Sequence, residues 1–233
     1  ELIISQSTTR ELKINHLTEI FGSYLPAVEG DKVTFIGSTF LTYGEKKPNY
    51  NHCIVLDTCD DLGIENTDIE SYETEQQVLL AWRDLVIREN PDIIIGYNIF
   101  GFDYNFMFLR AQETGCASKF IEISKLKDHM CGTFDGNTGK YDIEHSSITL
   151  ASGTHDLGYI KMPGRIQLDL YNLFRREENL VSYKLDYVAG HFIGDFVTNI
   201  EHTNEETKIV TKNMTGLLVG SYVHFEEIGH STD

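Results

Sequence analysis

Asp92-Ile93-Ile94-Ile95-Gly96-Tyr97-Asn98-Ile99-Phe100-Gly101-Phe102-Asp103 is the stretch on which the fold turns. Its opening is short, continuously apolar and β-branched, the signature of a strand covered on both faces. Asn90-Pro91 stands before it and ends a helix predicted over 73–89. In that helix Thr74 and Gln77 make a capping-box pair, and Val78, Trp82, Leu85 and Val86 share one face. After the strand, a loop runs from Tyr97 to Asp103. A second helix follows with Tyr104, Met107, Phe108 and Ala111 on one stripe, closed by Gly115. Helix, strand, loop and helix in this order predict an α/β fold with a mainly parallel or mixed sheet. The 92–96 strand should be central, with helices 73–89 and 104–114 packed against it.

Working outward, Thr8 with Glu11 suggests a capped helix whose apolar stripe is Ile14, Leu17, Ile20 and Phe21, with Gly22 as its stop. Two β-rich runs, 31–41 and 52–57, flank a turn region over 44–51 and predict a hairpin. Residues 125–165 are polar and Gly-rich, a long loop or a hairpin insertion. Ile166, Leu168 and Leu170 alternate with Gln167 and Asp169 as a strand does. Leu185, Val188, Ala189 and Phe192 form a helix face, with Ser182 as the cap. From about residue 195 the chain is acidic and threonine-rich, read as strand and loop.

Composition limits what such a fold can do. The 233 residues are 41% hydrophobic and 24% charged, enough for a real core. Thirty-six acids against nineteen bases give −17, which argues against a self-sufficient nucleic-acid clamp and against an anionic membrane. No apolar run is long enough to span a bilayer. Cys53, Cys59, Cys116 and Cys131 are irregularly spaced and read as ordinary thiols of a reducing compartment. The chain opens on Glu and closes on EEIGHSTD, which reads as a piece of something longer.

Chemistry concentrates at Asp103. It follows the carboxyl end of a buried strand, where ligands bind in open α/β sheets. A carboxylate there can hold a divalent metal, because hard cations take oxygen ligands. The plainer reading is a helix N-cap, a place that Asp favours.

A resemblance bears on that choice. Val78 to Gln112, VLLAWRDLVIRENPDIIIGYNIFGFDYNFMFLRAQ, resembles the second exonuclease motif of family B DNA polymerases. Pro163 to Phe192, PGRIQLDLYNLFRREENLVSYKLDYVAGHF, is similar to a further segment of the same family. Asp31 to Thr39 and Gly220 to His230 fit in order. LPAVEGDKVTFIGSTF and VGSYVHFEEIGHSTD look most like polymerases of giant DNA viruses. The resemblance implies a ribonuclease-H-like 3′–5′ exonuclease fold with four carboxylates and two Mg²⁺ ions. It makes Asp103 the catalytic, metal-binding residue, and Asn98 and Phe102 residues that meet frayed 3′ DNA. The partners implied are primer-template DNA and, through a palm domain outside this chain, dNTPs; a processivity factor fits the same picture, and a membrane does not. The setting implied is intracellular, a viral replication compartment in host nucleus or cytoplasm.

Departures from the family pattern shape the expectation. The first motif, which supplies two carboxylates, is absent, so the fold is expected to be truncated at its first strand. Tyr141-Asp142-Ile143-Glu144 imitates that motif in the wrong order and reads as a surface turn. No Tyr has Asp four residues later, so the third motif is absent as well. The expected division is 1–29 as a helical insertion or linker, 30–195 as the partial exonuclease domain, and 196–233 as the segment leading toward the third motif. A stand-alone exonuclease of the same fold and a non-catalytic interaction module on a decayed nuclease fold remain alternatives.

Other candidates weigh less. Asp128, His129 and Cys131 suggest zinc only weakly against a polar loop. His191 reads as a partly buried or capping histidine. Arg175, Arg176 and Lys184 read as a solvated face before a phosphate site. Trp82 reads as core.

Overall fold

The structure, a computed structural model, describes residues 4, 9–25, 29–45, 47–60, 63–150, 153–214 and 217–225. Two compact units divide the chain, Glu1–Asp169 and Leu170–Asp233. Thr8 and the end of the last resemblance segment, 226–233, lie outside the described residues.

Helix α1 spans Arg10–Tyr24, and its cap is Thr9, whose Oγ1 accepts the Leu12 amide at 3.4 Å. It runs through Gly22 instead of stopping there, and none of its side chains is buried. A glycine costs a helix only about 1 kcal/mol, too little to end one that the next residues continue. Strands β1 (Phe35–Phe40) and β2 (Tyr50–Leu56) form the expected antiparallel hairpin, with Phe35 opposite Val55 and Phe40 opposite Tyr50. Strand β3 (Thr67–Tyr72), which the sequence reading missed, joins β2 in parallel. Its run TDIESY has one apolar aliphatic residue, so neither period nor composition announces it.

Helix α2 (Glu75–Glu89) starts on the capping box of Thr74 and Gln77 and ends on Asn90 in the left-handed conformation. Val78, Trp82, Leu85 and Val86 are buried as their spacing requires. Strand β4 (Ile93–Gly96) follows, then a π-helical turn (Ile99–Asp103), then helix α3 (Tyr104–Glu113). Tyr104, Met107, Phe108 and Ala111 all face the core. Helix α4 (Ala117–Phe120) sets Phe120 against Trp82 at 5.9 Å between ring centroids.

The polar stretch after it folds into two hairpins. Strands β5 (Thr133–Asp135) and β6 (Lys140–Asp142) make the first, and β7 (Glu144–Leu150) and β8 (Gly153–Tyr159) the second. Tyr141-Asp142-Ile143-Glu144 is therefore the passage from β6 to β7 and not a surface turn; Ile143 is buried there. Strand β9 (Ile166–Asp169) pairs with β4 in parallel, Ile93 opposite Ile166 and Gly96 opposite Asp169.

The expectation of a central 92–96 strand fails among the described residues. There β4 pairs with β9 alone, and Ile93 and Ile95 are 42% and 57% exposed. A β-branched run dictates a strand, but only neighbouring strands and helices can cover both of its faces. Nor do α2 and α3 pack mainly on β4: α2 lies against β1, β2, β3, α3 and α4, and α3 against β8, α4 and the π-helical turn.

The second unit begins where β9 ends. Leu170 opens helix α5 (Leu170–Glu177) instead of continuing the strand. Helix α6 (Leu185–Ile193) has Lys184 at its cap position with no side-chain bond; Ser182 accepts the Lys184 amide at 3.3 Å and caps nothing. Ser182 lies two residues upstream of the cap position, too far to reach the free amides of the first turn. His191 is exposed and edge-on to Phe192, so it is not the partly buried histidine expected. Arg175 lies over the Tyr171 and Tyr183 rings, and Arg176 pairs with Glu177. Strands β10 (Val197–His202) and β11 (Thr207–Thr211) form an antiparallel hairpin.

Candidate functional site

Beyond Gly96 the chain leaves the β4–β9 pair and winds into the π-helical turn. Asn98 takes a left-handed conformation, φ 61° and ψ 25°, which Asn tolerates better than most residues. Its carbonyl accepts the amides of Gly101 at 3.1 Å and Phe102 at 2.9 Å. Two glycines make this winding possible. A Cβ on Gly96 would stand 2.3 Å from Ile99 Cγ2, and one on Gly101 2.3 Å from Asn98 Oδ1.

The turn delivers the three residues singled out in the sequence. Phe102 is 56% exposed and stacks on Phe106, with centroids 5.2 Å apart and planes 12° from parallel. Asp103 is partly buried, with helical φ −60° and ψ −46°, and its side chain makes no capping bond. The N-cap reading of Asp103 is thereby overturned: a cap residue has extended backbone and accepts an amide of the first turn. Two short tight windings, a π turn and then an α-helix, leave no free cap position between them.

Asp169 was missed as a site residue. It sits at the carboxyl end of β9, opposite Gly96, and is 6% exposed. One carboxylate oxygen accepts the Asn98 amide at 2.7 Å and the other the Phe100 amide at 3.1 Å. A signal existed: alternation along 166–169 sets Gln167 and Asp169 on one face, and parallel pairing brings the carboxyl ends of both strands together.

The electrostatics follow from this crowding. Burial, opposed in part by Asp103's own amide and reinforced by the Asp169 charge, pushes the Asp103 carboxyl above its ordinary value. Tyr104, 2% exposed, has its phenol pushed up by burial and then by the Asp103 and Asp169 charges, and its hydroxyl has no hydrogen-bond partner among the described residues. An excess of negative charge in a half-covered place suits a divalent cation, and Asp103 has oxygens to offer one. Among the described residues no group of three or more His, Cys, Asp or Glu side chains gathers to hold a metal alone. This removes the Asp128–His129–Cys131 zinc reading; Cys131 is buried.

A cleft of about 590 Å³ opens beside the turn, between Gly101 and Asn105 on one wall and His145, Ser147, Asp156 and Gly158 on the other. The walls meet closely where Gly158 would place a Cβ 3.2 Å from Asn105 Cβ. No described helix is long and apolar enough to cross a membrane.

Comparison with known proteins fits this arrangement. The sequence profile of "DNA polymerase family B, exonuclease domain" matches residues 16–188. The DNA polymerase of Phaeocystis pouchetii virus is 43% identical over 242 aligned positions, covering 100% of this chain and 23% of the relative. That of Pyramimonas orientalis virus is 38% identical, covering 90% of this chain and 16% of the relative. The DNA polymerase delta catalytic subunit of Arabidopsis thaliana is 30% identical over 79% of this chain and 16% of its own length. The chain thus spans 16–23% of the length of these relatives, and it belongs to the exonuclease domain of family B DNA polymerases.

Proposed function

We propose that the chain is part of a 3′–5′ proofreading exonuclease with a ribonuclease-H-like fold, working within a DNA polymerase that replicates DNA from dNTPs. The observation that carries this reading is the Asp103 carboxylate, partly buried at the carboxyl end of a parallel strand pair and capping nothing. A carboxylate that caps no helix in such a place is best explained by a ligand.

In this reading Asp103 is one of the metal-binding carboxylates, and Mg²⁺ is the metal. Divalent cations supply Lewis-acid stabilisation to the attacking and leaving oxygens of phosphodiester hydrolysis. The chain's own residues do the rest. Phe102, exposed and already stacked on Phe106, offers a ring to the terminal base of a frayed strand. Asn98, at the head of the turn, lies on the same loop as a polar contact to that strand. Residues 30–195 would be the exonuclease portion, 1–29 a helical insertion or linker, and 196–233 a segment leading toward the third motif.

The open face of the β4–β9 pair supports a larger sheet in the whole enzyme. Ile93, Ile95, Ile166 and Leu168 fall on one face by register, and each is between 40% and 59% exposed. Such a face is the kind that further strands or helices cover. DNA is the substrate, and the setting is an intracellular replication compartment.

The test uses the full-length polymerase. Asp103→Ala and Asp103→Asn should each lower excision of a mismatched 3′ end by more than about 100-fold, beyond what loss of an outer partner usually costs. Primer extension should stay within about twofold, because synthesis uses separate carboxylates. If Asp103→Asn excises at the parent rate, the metal role is wrong.

A further inference from the structure

We propose that Asp169 is a positioning residue for excision: its carboxylate clamps the 98–103 turn so that Asp103 and Phe102 stand where they act. The inference rests on the exonuclease reading above and deepens it. The amides of Asn98 and Phe100 come just after a strand has ended and as a helical turn begins, where backbone donors lack partners along the chain. Asp169 supplies both acceptors from another element, one oxygen at 2.7 Å and the other at 3.1 Å. Bonds from an amide to an ionised acceptor are about twice as strong as neutral ones. With one amide of the same turn on each oxygen, the carboxylate acts as a two-point clamp on that turn.

The surroundings make the clamp directional. Ile99 fills the space beside Gly96 and the Asn98 side chain the space beside Gly101, so the turn has little room to rewind. Register fixes the other half: Asp169 lies opposite Gly96, the last residue of β4, and Gln167 on the same face bonds the Ile160 carbonyl at 2.8 Å. Upstream, Arg165 donates to the Pro91, Asn90, Val86 and Ile123 oxygens, locking the start of β9 to the end of α2. The segment GRIQLDL is thus a brace, with Arg165 holding one end of the strand pair and Asp169 the loop at the other.

Asp169→Asn is the discriminating change. An asparagine keeps the shape and one acceptor oxygen, but its NH₂ group then faces a backbone N–H, donor against donor. Three measurements on the full-length polymerase decide the matter: hydrogen exchange of a peptide covering 97–104, exchange of a peptide covering 78–86, and the Mg²⁺ concentration for half-maximal excision. We expect exchange at 97–104 to speed up at least tenfold while 78–86 keeps its protection. Half-activating Mg²⁺ should rise, and excision should fall, by ~10–100-fold, the range for residues that orient a ligand. Parent-like exchange at 97–104, or an unchanged Mg²⁺ requirement, overturns the clamp. So does loss of protection at 78–86 as well, because Asp169 would then support the fold in general. Asp103→Asn run in parallel separates the two readings. If it excises normally the exonuclease assignment fails, while the exchange data still judge whether Asp169 holds the turn.

Discussion

Two acidic clusters in the first unit treat their charge in opposite ways. Around α2 and α3, Glu75 is buried at 5% exposure, but both of its oxygens meet the Arg110 guanidinium, at 2.8 and 2.6 Å, and it also accepts the Val33 amide. Arg110 goes on to Glu113 and the Gly30 carbonyl, so the carboxylates there share one guanidinium. At the β4–β9 end, Asp103 and Asp169 share a neighbourhood as like charges, and the buried Tyr104 hydroxyl stands beside them. The first cluster is arranged for stability, tying the 29–33 segment to two helices. The second keeps like charges close together in a partly buried place, which costs stability.

The contrast is broken most forcefully at Arg110. Arg110→Met should destabilise the domain by about 3 kcal/mol or more, because it strands the buried Glu75 charge. Adding Glu75→Gln should restore part of that loss, and chemical denaturation would show it; two additive losses would mean that the pair is not one unit. At the other cluster, Phe102→Ala should raise the KM for a single-stranded 3′ end about tenfold, in line with ~1–3 kcal/mol for a base–aromatic stack. Its melting temperature should hardly move, since the ring is mostly in solvent already. An unchanged KM would remove Phe102 from the DNA path.

Acid should act on the paired cluster selectively. Burial pushes the Glu75 carboxyl up, but the Arg110 hydrogen bonds, the Val33 amide and the nearby cations together outweigh it and leave the group below its ordinary 4.5. A carboxyl depressed in the fold contributes stability above its unfolded value and loses it as pH falls through the folded one. The stability difference between the parent and Glu75→Gln should therefore be largest above pH 4.5 and shrink below it. A difference independent of pH would contradict the pairing. The smallest effect has the opposite sign. Asp103 is raised in the fold, so its charge opposes folding at neutral pH. Without divalent cations, Asp103→Asn should melt about 1 °C higher, a fraction of a kcal/mol for a domain of this size. Scanning calorimetry in chelator that finds the variant less stable would place Asp103 among structural residues.

Much of this was legible in the residues. The α2 and α3 faces and the β1–β2 hairpin follow from period, capping pairs and turn residues, whereas 97–103, read as a loop, winds into a π-helical turn. Period, capping pairs and turn residues are local signals, set within a few residues of where they act. Arg165 and β3 were illegible for the complementary reason, and alternation gave Asp169 its face but not its partners. Asp169 meets its amides 71 and 69 positions away, and Arg165 meets Asn90 75 positions away. Nothing within a short window separates a clamp from any strand-end aspartate. The both-faces-covered reading of β4 failed on the same ground, because a run of isoleucines records the strand and not its neighbours.

The distance between Asp169 and the turn also sets when the acidic end can take shape. The 71 positions from Asn98 to Asp169 enclose α3, α4 and two hairpins. Hairpins and helices of that size form within about microseconds, whereas the parallel pairing of β4 with β9 must wait until the whole insertion has closed. A refolding chain should therefore gain its helical signal first and order the Asn98–Asp103 segment last. Closure entropy grows only logarithmically, about 0.6 kcal/mol for each doubling of the loop. The hairpins between α4 and β9 can thus lengthen or shorten at little thermodynamic penalty, provided that the strand still returns with Asp169 opposite Gly96.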